Sequence, residues 1–385
     1  MLKTVSRDVS TDGYLPALDG LRGLSVALVV ISHFGLGHWV PGGLGVTIFF
    51  FISGFIITRL MLREFQTKSI TYQAFYIRRF FRLAPALLVF VMLSNIFMRL
   101  LDQPIPWLDN LSAVFYFANY WEIYFGWGGL PAESYHSPLS VLWSLAVEEH
   151  FYLVFPVLLA VLQRRSQWPL AWLGGAVLAI LTWRMYLALD YLVLGNSIQD
   201  SQTYRTFKAT DTRIDSILFG CMLSVAMENQ WKSPRLTRVM DRISGTGGLC
   251  TGLALMVLTL ALRDVYFRET LRYSLQGLAL YLIFSTTFAG QGLASRIVNS
   301  CLAARVPVYL GKISYSLYLY HWLVRVAFFN WFPQSTPLMQ LAMGIPLSLA
   351  LSIVSWRWVE TPFRRIGHAW AARATAAHLA THHGA

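Results

Sequence analysis

Two residues of this chain are well placed to do chemistry. Arg22 and His33 lie eleven positions apart within one hydrophobic stretch, LDGLRGLSVALVVISHF. A cation or a titratable ring at bilayer depth is costly and persists there with partners or with chemistry. Helical rise separates the two by about 16 Å. Eleven residues is close to three turns, so both side chains project from one face. One helix would then carry Arg22 near one membrane surface and His33 towards the other, which suits a reaction whose substrates arrive from opposite sides. Neutral imidazole can take a proton from a hydroxyl near pH 7, making His33 a candidate general base. Arg22 would hold an anionic or carbonyl-bearing group, or pair with Asp19. An interfacial histidine and a snorkelling arginine account for these two residues about as well.

Two further runs carry charge into apolar surroundings. In RRFFRLAP, Arg78, Arg79 and Arg82 precede Pro85, and Arg79 and Arg82 share a helical face. Guanidinium forks bind phosphate bidentately, so a pair at a membrane entrance suits a nucleotide-bearing donor such as a coenzyme A thioester. Juxtamembrane arginines also serve as anchors on anionic lipid. In LSVLWSLAVEEHFYLVFP, Glu148 and Glu149 interrupt an apolar helix near its expected outer end. Adjacent positions point about 100° apart, so one carboxylate could orient His33 while the other faces elsewhere; both could instead serve the helix dipole. Arg184, the Arg213–Asp215 pair in DTRIDSILFG and His321 in ISYSLYLYHW are further polar groups in apolar helices. These four read first as structural support. Ser53–Gly54 in FFFISGF reads as a close helix contact. GxSxG, HExxH and P-loop patterns are missing, so serine hydrolysis, zinc chemistry and ATP hydrolysis lack support, and no metal is expected.

The elements that must position these groups are membrane helices. Hydrophobic residues make up 56% of 385 and charged residues only 13%, where a soluble chain carries roughly 25%. The expected class is an all-α polytopic membrane protein. Apolar stretches of spanning length fall near 17–37, 44–62, 83–101, 139–162, 169–189, 211–228, 247–263, 271–290, 307–329 and 338–358. They amount to about ten crossings. The aromatic stretch 111–127, with Asn119 and Glu122, is expected as a re-entrant or extracytoplasmic hairpin. With that choice the basic loops, among them Arg63–Arg82, Arg164–Arg165, Lys232–Arg242 and Arg364–Arg373, fall on one side. The positive-inside rule makes that side, and both termini, cytoplasmic. Residues 1–14 form a polar N-terminal segment without a signal-peptide core, 15–365 the membrane domain, and 366–385 an Ala/His-rich tail expected to be disordered. The net charge of +12 follows the loops and does not indicate nucleic acid. Cys221, Cys250 and Cys301 show no framework spacing.

In combination, LDGLRG…SHF, FFFISGF, FYIRRFFRLAPA, LWSLAVEEHFYLVFP, TRIDSILFG, ISYSLYLYHW and WVETPFRR occur in the order found in the acyltransferase 3 family of membrane acyltransferases. The chain resembles that family over residues 14–365. The resemblance implies about ten transmembrane helices and transfer of an acyl group, often acetyl, from cytoplasmic acyl-CoA. The implied acceptor is a hydroxyl on an extracytoplasmic or lipid-linked glycan, or on a small molecule. It matches Arg22 and His33 to the family's Arg–His pair, Arg79 and Arg82 to its donor-associated RxxR, and Glu149, with Glu148 beside it, to its acidic position. Many polysaccharide-modifying relatives carry a C-terminal SGNH hydrolase-like domain; these 385 residues contain none.

The expected protein is a bacterial inner-membrane O-acyltransferase with acyl-CoA as substrate and no tightly bound cofactor. Its partners are the bilayer and a hydroxyl acceptor entering over 111–127, and a homo-oligomer is left open. His33 would act as base, or carry the acyl group covalently, and Glu149 would orient it. Arg22 would steady the donor or the oxyanion. The competing readings are an acyltransferase for an antibiotic or lipid, and a proton-coupled transporter or glycan flippase. No inverted repeat supports the last.

Overall fold

The computed structural model describes residues 15–66, 71–128, 136–165, 169–193, 201–229 and 233–383, and every regular element in them is helical. The segment 1–14, Lys68, Lys232 and much of the connection 190–210 lie outside the described residues, as do the side chains of Arg164 and Arg165. The first half runs α1 (Pro16–Ile31), α2 (Gly42–Gln66), α3 (Tyr72–Leu100), α4 (Trp107–Val114), α5 (Ala118–Phe125), α6 (Trp143–Arg165), α7 (Pro169–Val193) and α8 (Ser201–Lys208). Then come α9 (Thr210–Asn229), α10 (Pro234–Ile243), α11 (Thr246–Ala261), α12 (Val265–Glu269), α13 (Leu271–Ala289), α14 (Leu293–Leu302), α15 (Arg305–Lys312) and α16 (Ser314–Trp331). The last run is α17 (Pro337–Met339), α18 (Ile345–Ser355) and α19 (Thr361–His383), joined by π turns at Gln340–Gly344 and Trp356–Glu360. In lipid the backbone must satisfy itself, and helices do so within one segment.

Among the described residues six helices are long and apolar enough to cross a membrane, or up to eight if two bent pairs each count as one span. The expected spans 211–228 and 307–329 fall short because their interiors are polar. Helix α9 carries Asp211, Arg213, Asp215 and Glu228, and α16 is diluted by tyrosines, His321 and Arg325. The stretch 111–127 is split into α4 and α5 around Tyr116, whose φ is 59°. Arg78, Arg79 and Arg82 lie inside α3, not ahead of it. The tail expected to be disordered from residue 366 is instead helical to His383. Its alanines favour helix, and it packs on α3 through Phe81 and Trp370, with ring centroids 5.6 Å apart.

Helix α2 lies against α9 at backbone contact. A Cβ on Gly54 would sit 2.0 Å from the Ile217 carbonyl oxygen, and one on Gly220 2.0 Å from that of Phe51. Gly54→Ala should therefore push α2 from α9 and lower stability by about 1–3 kcal/mol, the range for overpacking. The unfolding temperature of the purified protein in detergent checks this. An unchanged value would mean that the two helices do not meet there. Across the same bundle, Arg184 of α7 pairs with Asp215 of α9 at 2.9 Å, both side chains fully buried. Ser274 of α13 donates to the same carboxylate at 2.7 Å. The network fastens three helices beside the polar interior.

Candidate active site

His33 lies just past α1, on a π turn (Ser32–Leu36). Inside the turn Gly35 takes φ +96°, a conformation that suits glycine. Single π turns occur often at functional sites, because they re-aim one side chain without ending the helix. Here the turn brings His33 Nδ1 to 2.9 Å from His321 Nε2. The rings are within 6° of parallel with centroids 5.2 Å apart. Such spacing with so short an N···N contact means that they meet edge to edge in one plane. Trp322 stands across His33 at 4.9 Å. His321 is fully buried, and its Nδ1 lies 3.0 Å from the Leu317 carbonyl oxygen.

Two cavities share Tyr318, whose ring centroid lies 5.6 Å from that of His321, and His33 lines the second of them. The first, of about 270 Å³, is lined by Arg22, Arg78, Arg79, Arg82, Glu148, Arg364 and His368, with Ser53, Tyr152 and Tyr318 among its other walls. Five guanidiniums thus face one lining carboxylate. They are not equivalent. Arg78 pairs with Glu64 at 2.8 Å, and Arg22 with Asp19 at 3.4 Å. Arg79 donates through Nε to Glu149 at 2.8 Å, lies 3.8 Å from Glu148, and covers the Tyr152 ring. Ser53 donates to Glu148 at 2.9 Å. Among the described residues Arg82 and Arg364 make no ion pair. They are the cations of this cavity most available to an anion.

The second cavity, of about 210 Å³, is lined by His33, Val46, Ser140, Trp143, Phe207, Lys208, Tyr318 and Trp322, with Val29, Gly42, Gly43 and Val141. Lys208 pairs with Glu122 at 2.7 Å, both side chains nearly buried, and Ser140 donates to the same Glu122 oxygen at 3.0 Å. The fully buried Arg213 donates to Thr47 of α2 and to the Phe207 carbonyl, each at 3.1 Å, and lies 3.9 Å from the Tyr273 ring. It therefore braces the Phe207 wall from behind, a supporting role; Asp215, two positions on, belongs to the Arg184 network.

The cavities are offset along the bundle. The first is lined near the start of α1 and α3 and along α2 from Val46 to Leu60; the second is lined by the π turn after α1 and the start of α2. Val46 and Tyr318 line both. Tyr318 is held at this junction by its hydroxyl, which donates to the Val141 carbonyl at 3.1 Å and contacts Ser144 Oγ at 2.7 Å.

Two expectations are corrected. Glu149 was expected to orient His33; it lies on Arg79, and His321 holds His33 instead. The reason is depth. Glu148 is level with Ser53 in the middle of α2 and with the basic cavity, not at an outer helix end. For the same reason Arg79, expected beside Arg82 as a free fork, is neutralised by the two glutamates. The stretch 111–127 lines neither cavity among the described residues, and the aromatic walls around His33 are Trp143, Phe207 and Trp322. Its contribution is indirect, through Glu122 on Lys208. Sequence reasoning missed Arg364, His368, Lys208 and Tyr318. WVETPFRR and ISYSLYLYHW held a signal for Arg364 and Tyr318, in polar residues placed inside apolar runs.

A bundle of apolar helices around a polar, two-part interior defines a multi-pass membrane protein. A family model described as an acyltransferase domain (Acyl_transf_3) matches residues 15–357. The chain belongs to the acyltransferase 3 family. It is 32% identical over 368 residues to "Putative O-acetyltransferase SACOL0978" of Staphylococcus aureus (strain COL), covering 92% of this chain and 58% of that protein. It is 29% identical over 373 residues to "O-acetyltransferase OatA" of Staphylococcus aureus (strain NCTC 8325 / PS 47), with the same coverage. The chain thus spans about three-fifths of the length of these relatives, 58% in each case. No solved structure matches it.

Proposed function

We propose that this protein moves an acyl group, acetyl first among them, from cytoplasmic acyl-CoA to a hydroxyl of an extracytoplasmic or lipid-linked glycan across the bacterial inner membrane. The observation that carries this reading is the pair of cavities offset along the bundle, one cationic and one holding His33, with Val46 and Tyr318 lining both. The positive-inside distribution supports a cytoplasmic basic cavity. The donor's phosphates fit Arg82 and Arg364, with Arg22 beside them, because charge-assisted bonds to phosphate are strong where water is scarce. The thioester arm would run towards Tyr318. His33 takes the proton of the acceptor hydroxyl as its oxygen attacks the thioester carbonyl. The C–O bond forms, the C–S bond breaks, and the proton passes to the departing thiolate. Arg22 serves the donor, since it lines the cationic cavity and His33 lines the other. Aromatic walls at Trp143, Phe207 and Trp322 suit the apolar face of a sugar.

The test is thiol release from acetyl-CoA by protein in nanodiscs, with bacterial envelope extract as acceptor. Arg82→Ala/Arg364→Ala should raise KM for acetyl-CoA by about tenfold or more, as losing charged hydrogen bonds of about 1.5–3 kcal/mol each requires. The turnover rate at saturation should change less. An unchanged KM would remove the donor from this cavity.

A further inference from the structure

We propose that His321 is the positioning residue of the reaction: it holds His33 in the tautomer whose Nε2 carries the lone pair, so that this nitrogen faces the acceptor. The inference rests on the acyl-transfer reading above and deepens it. It follows from counting protons. The Leu317 carbonyl can only accept, so the His321 Nδ1 that contacts it at 3.0 Å bears hydrogen. A neutral imidazole with Nδ1–H has its lone pair on Nε2. That nitrogen lies 2.9 Å from His33 Nδ1. One proton must lie between them, and only His33 can supply it. His33 is therefore the Nδ1–H tautomer, and its Nε2 is the bare base.

The surroundings agree. His33 lines the second cavity, and its Nε2 makes no hydrogen bond among the described residues. The near-coplanar rings give the in-plane approach that an N–H···N bond needs. His321 is fixed in turn. It is fully buried on α16, one helical turn beyond Leu317, between Tyr318 and Trp322. When His33 takes the acceptor's proton, its Nδ1–H still points at His321 Nε2, a neutral acceptor already in place. A carboxylate does this work in a catalytic triad. Here a second imidazole does it without bringing a net charge into the apolar interior.

Thiol release from acetyl-CoA by protein in nanodiscs is measured for wild type, His33→Ala, His321→Phe and His321→Gln. His321→Phe removes the acceptor and should lower kcat by about 100-fold, the scale of a misplaced general base, with KM for acetyl-CoA within about twofold. His321→Gln offers a carbonyl oxygen to the His33 Nδ1–H and should recover to within about tenfold of wild type. A His321→Gln variant as slow as His321→Phe, or a His321→Phe variant at the wild-type rate, would overturn the assignment. His33→Ala at the wild-type rate would overturn the underlying base role instead. The wild-type protein gives an answer that needs no variant: nitrogen-15 spectra of histidine-labelled protein at neutral pH should show His33 protonated at Nδ1 and bare at Nε2, and the reverse would overturn the proposal.

Discussion

Replacing His33 by alanine is expected to slow acetyl transfer by about 1,000-fold, within the range for loss of a general base, while acetyl-CoA still binds with nearly wild-type affinity. The two effects separate because of where the groups lie. The cationic cavity holds Arg22, Arg82 and Arg364, and His33 belongs to the other one. An alanine at position 33 touches no cation that would hold phosphate. It removes the imidazole that lines the second cavity and leaves His321 Nε2 without its partner. Single-turnover thiol release together with equilibrium binding of labelled acetyl-CoA checks both halves. Equal losses of binding and rate would contradict the separation. An acyl-His33 intermediate predicts the same loss, and mass spectrometry of acid-quenched wild-type protein distinguishes it from direct transfer.

The second large effect is expected at Arg79, and it is one of stability. Its guanidinium donates to Glu149, approaches Glu148 and covers Tyr152. The side chains of all three charged residues are at most 20% exposed. Arg79→Ala leaves Glu148 and Glu149 without the guanidinium that pairs with both, and removing one partner of such a cluster costs about 3–5 kcal/mol. Arg79→Lys should recover little, because an ammonium cannot both fork and stack. Restoring neutrality is expected to help: Glu148→Gln/Glu149→Gln in the Arg79→Ala background should regain most of the lost unfolding temperature. Thermal unfolding in detergent reads both results. A stable Arg79→Ala protein that has lost only donor affinity would instead make Arg79 a phosphate ligand.

Much of the site was legible because burying a charge is expensive. Arg22, His33, Arg82 and Glu148 stood out as polar groups in apolar runs, and each lines one of the two cavities. Partners were less legible. Spacing within one helix fixes a face, but His33 and His321 are 288 positions apart, and only the packing of α16 against the π turn brings them together. A carboxylate was the expected orienter because histidine–carboxylate dyads are common, and nothing in the local sequence revealed that Glu149 was already held by Arg79. Arg364 was read as a loop cation. The helix that presents it to the cavity depends on α19 packing on α3, a contact between distant segments. Spans were legible where apolar residues dominate, and not in α9 and α16, where the residues that build the interior also lower the hydropathy.

The central claim is that donor and acceptor enter from opposite ends and meet at Val46 and Tyr318. The measurement that tests it most directly uses inverted and right-side-out membrane vesicles from bacteria expressing the chain, with acetyl-labelled acetyl-CoA, which does not cross membranes, added only to the medium. Labelling of the hydroxyl-bearing membrane fraction in inverted vesicles alone, abolished by His33→Ala, is the expected result. Equal labelling in right-side-out vesicles would contradict the sidedness, and labelling in neither would contradict the use of acetyl-CoA.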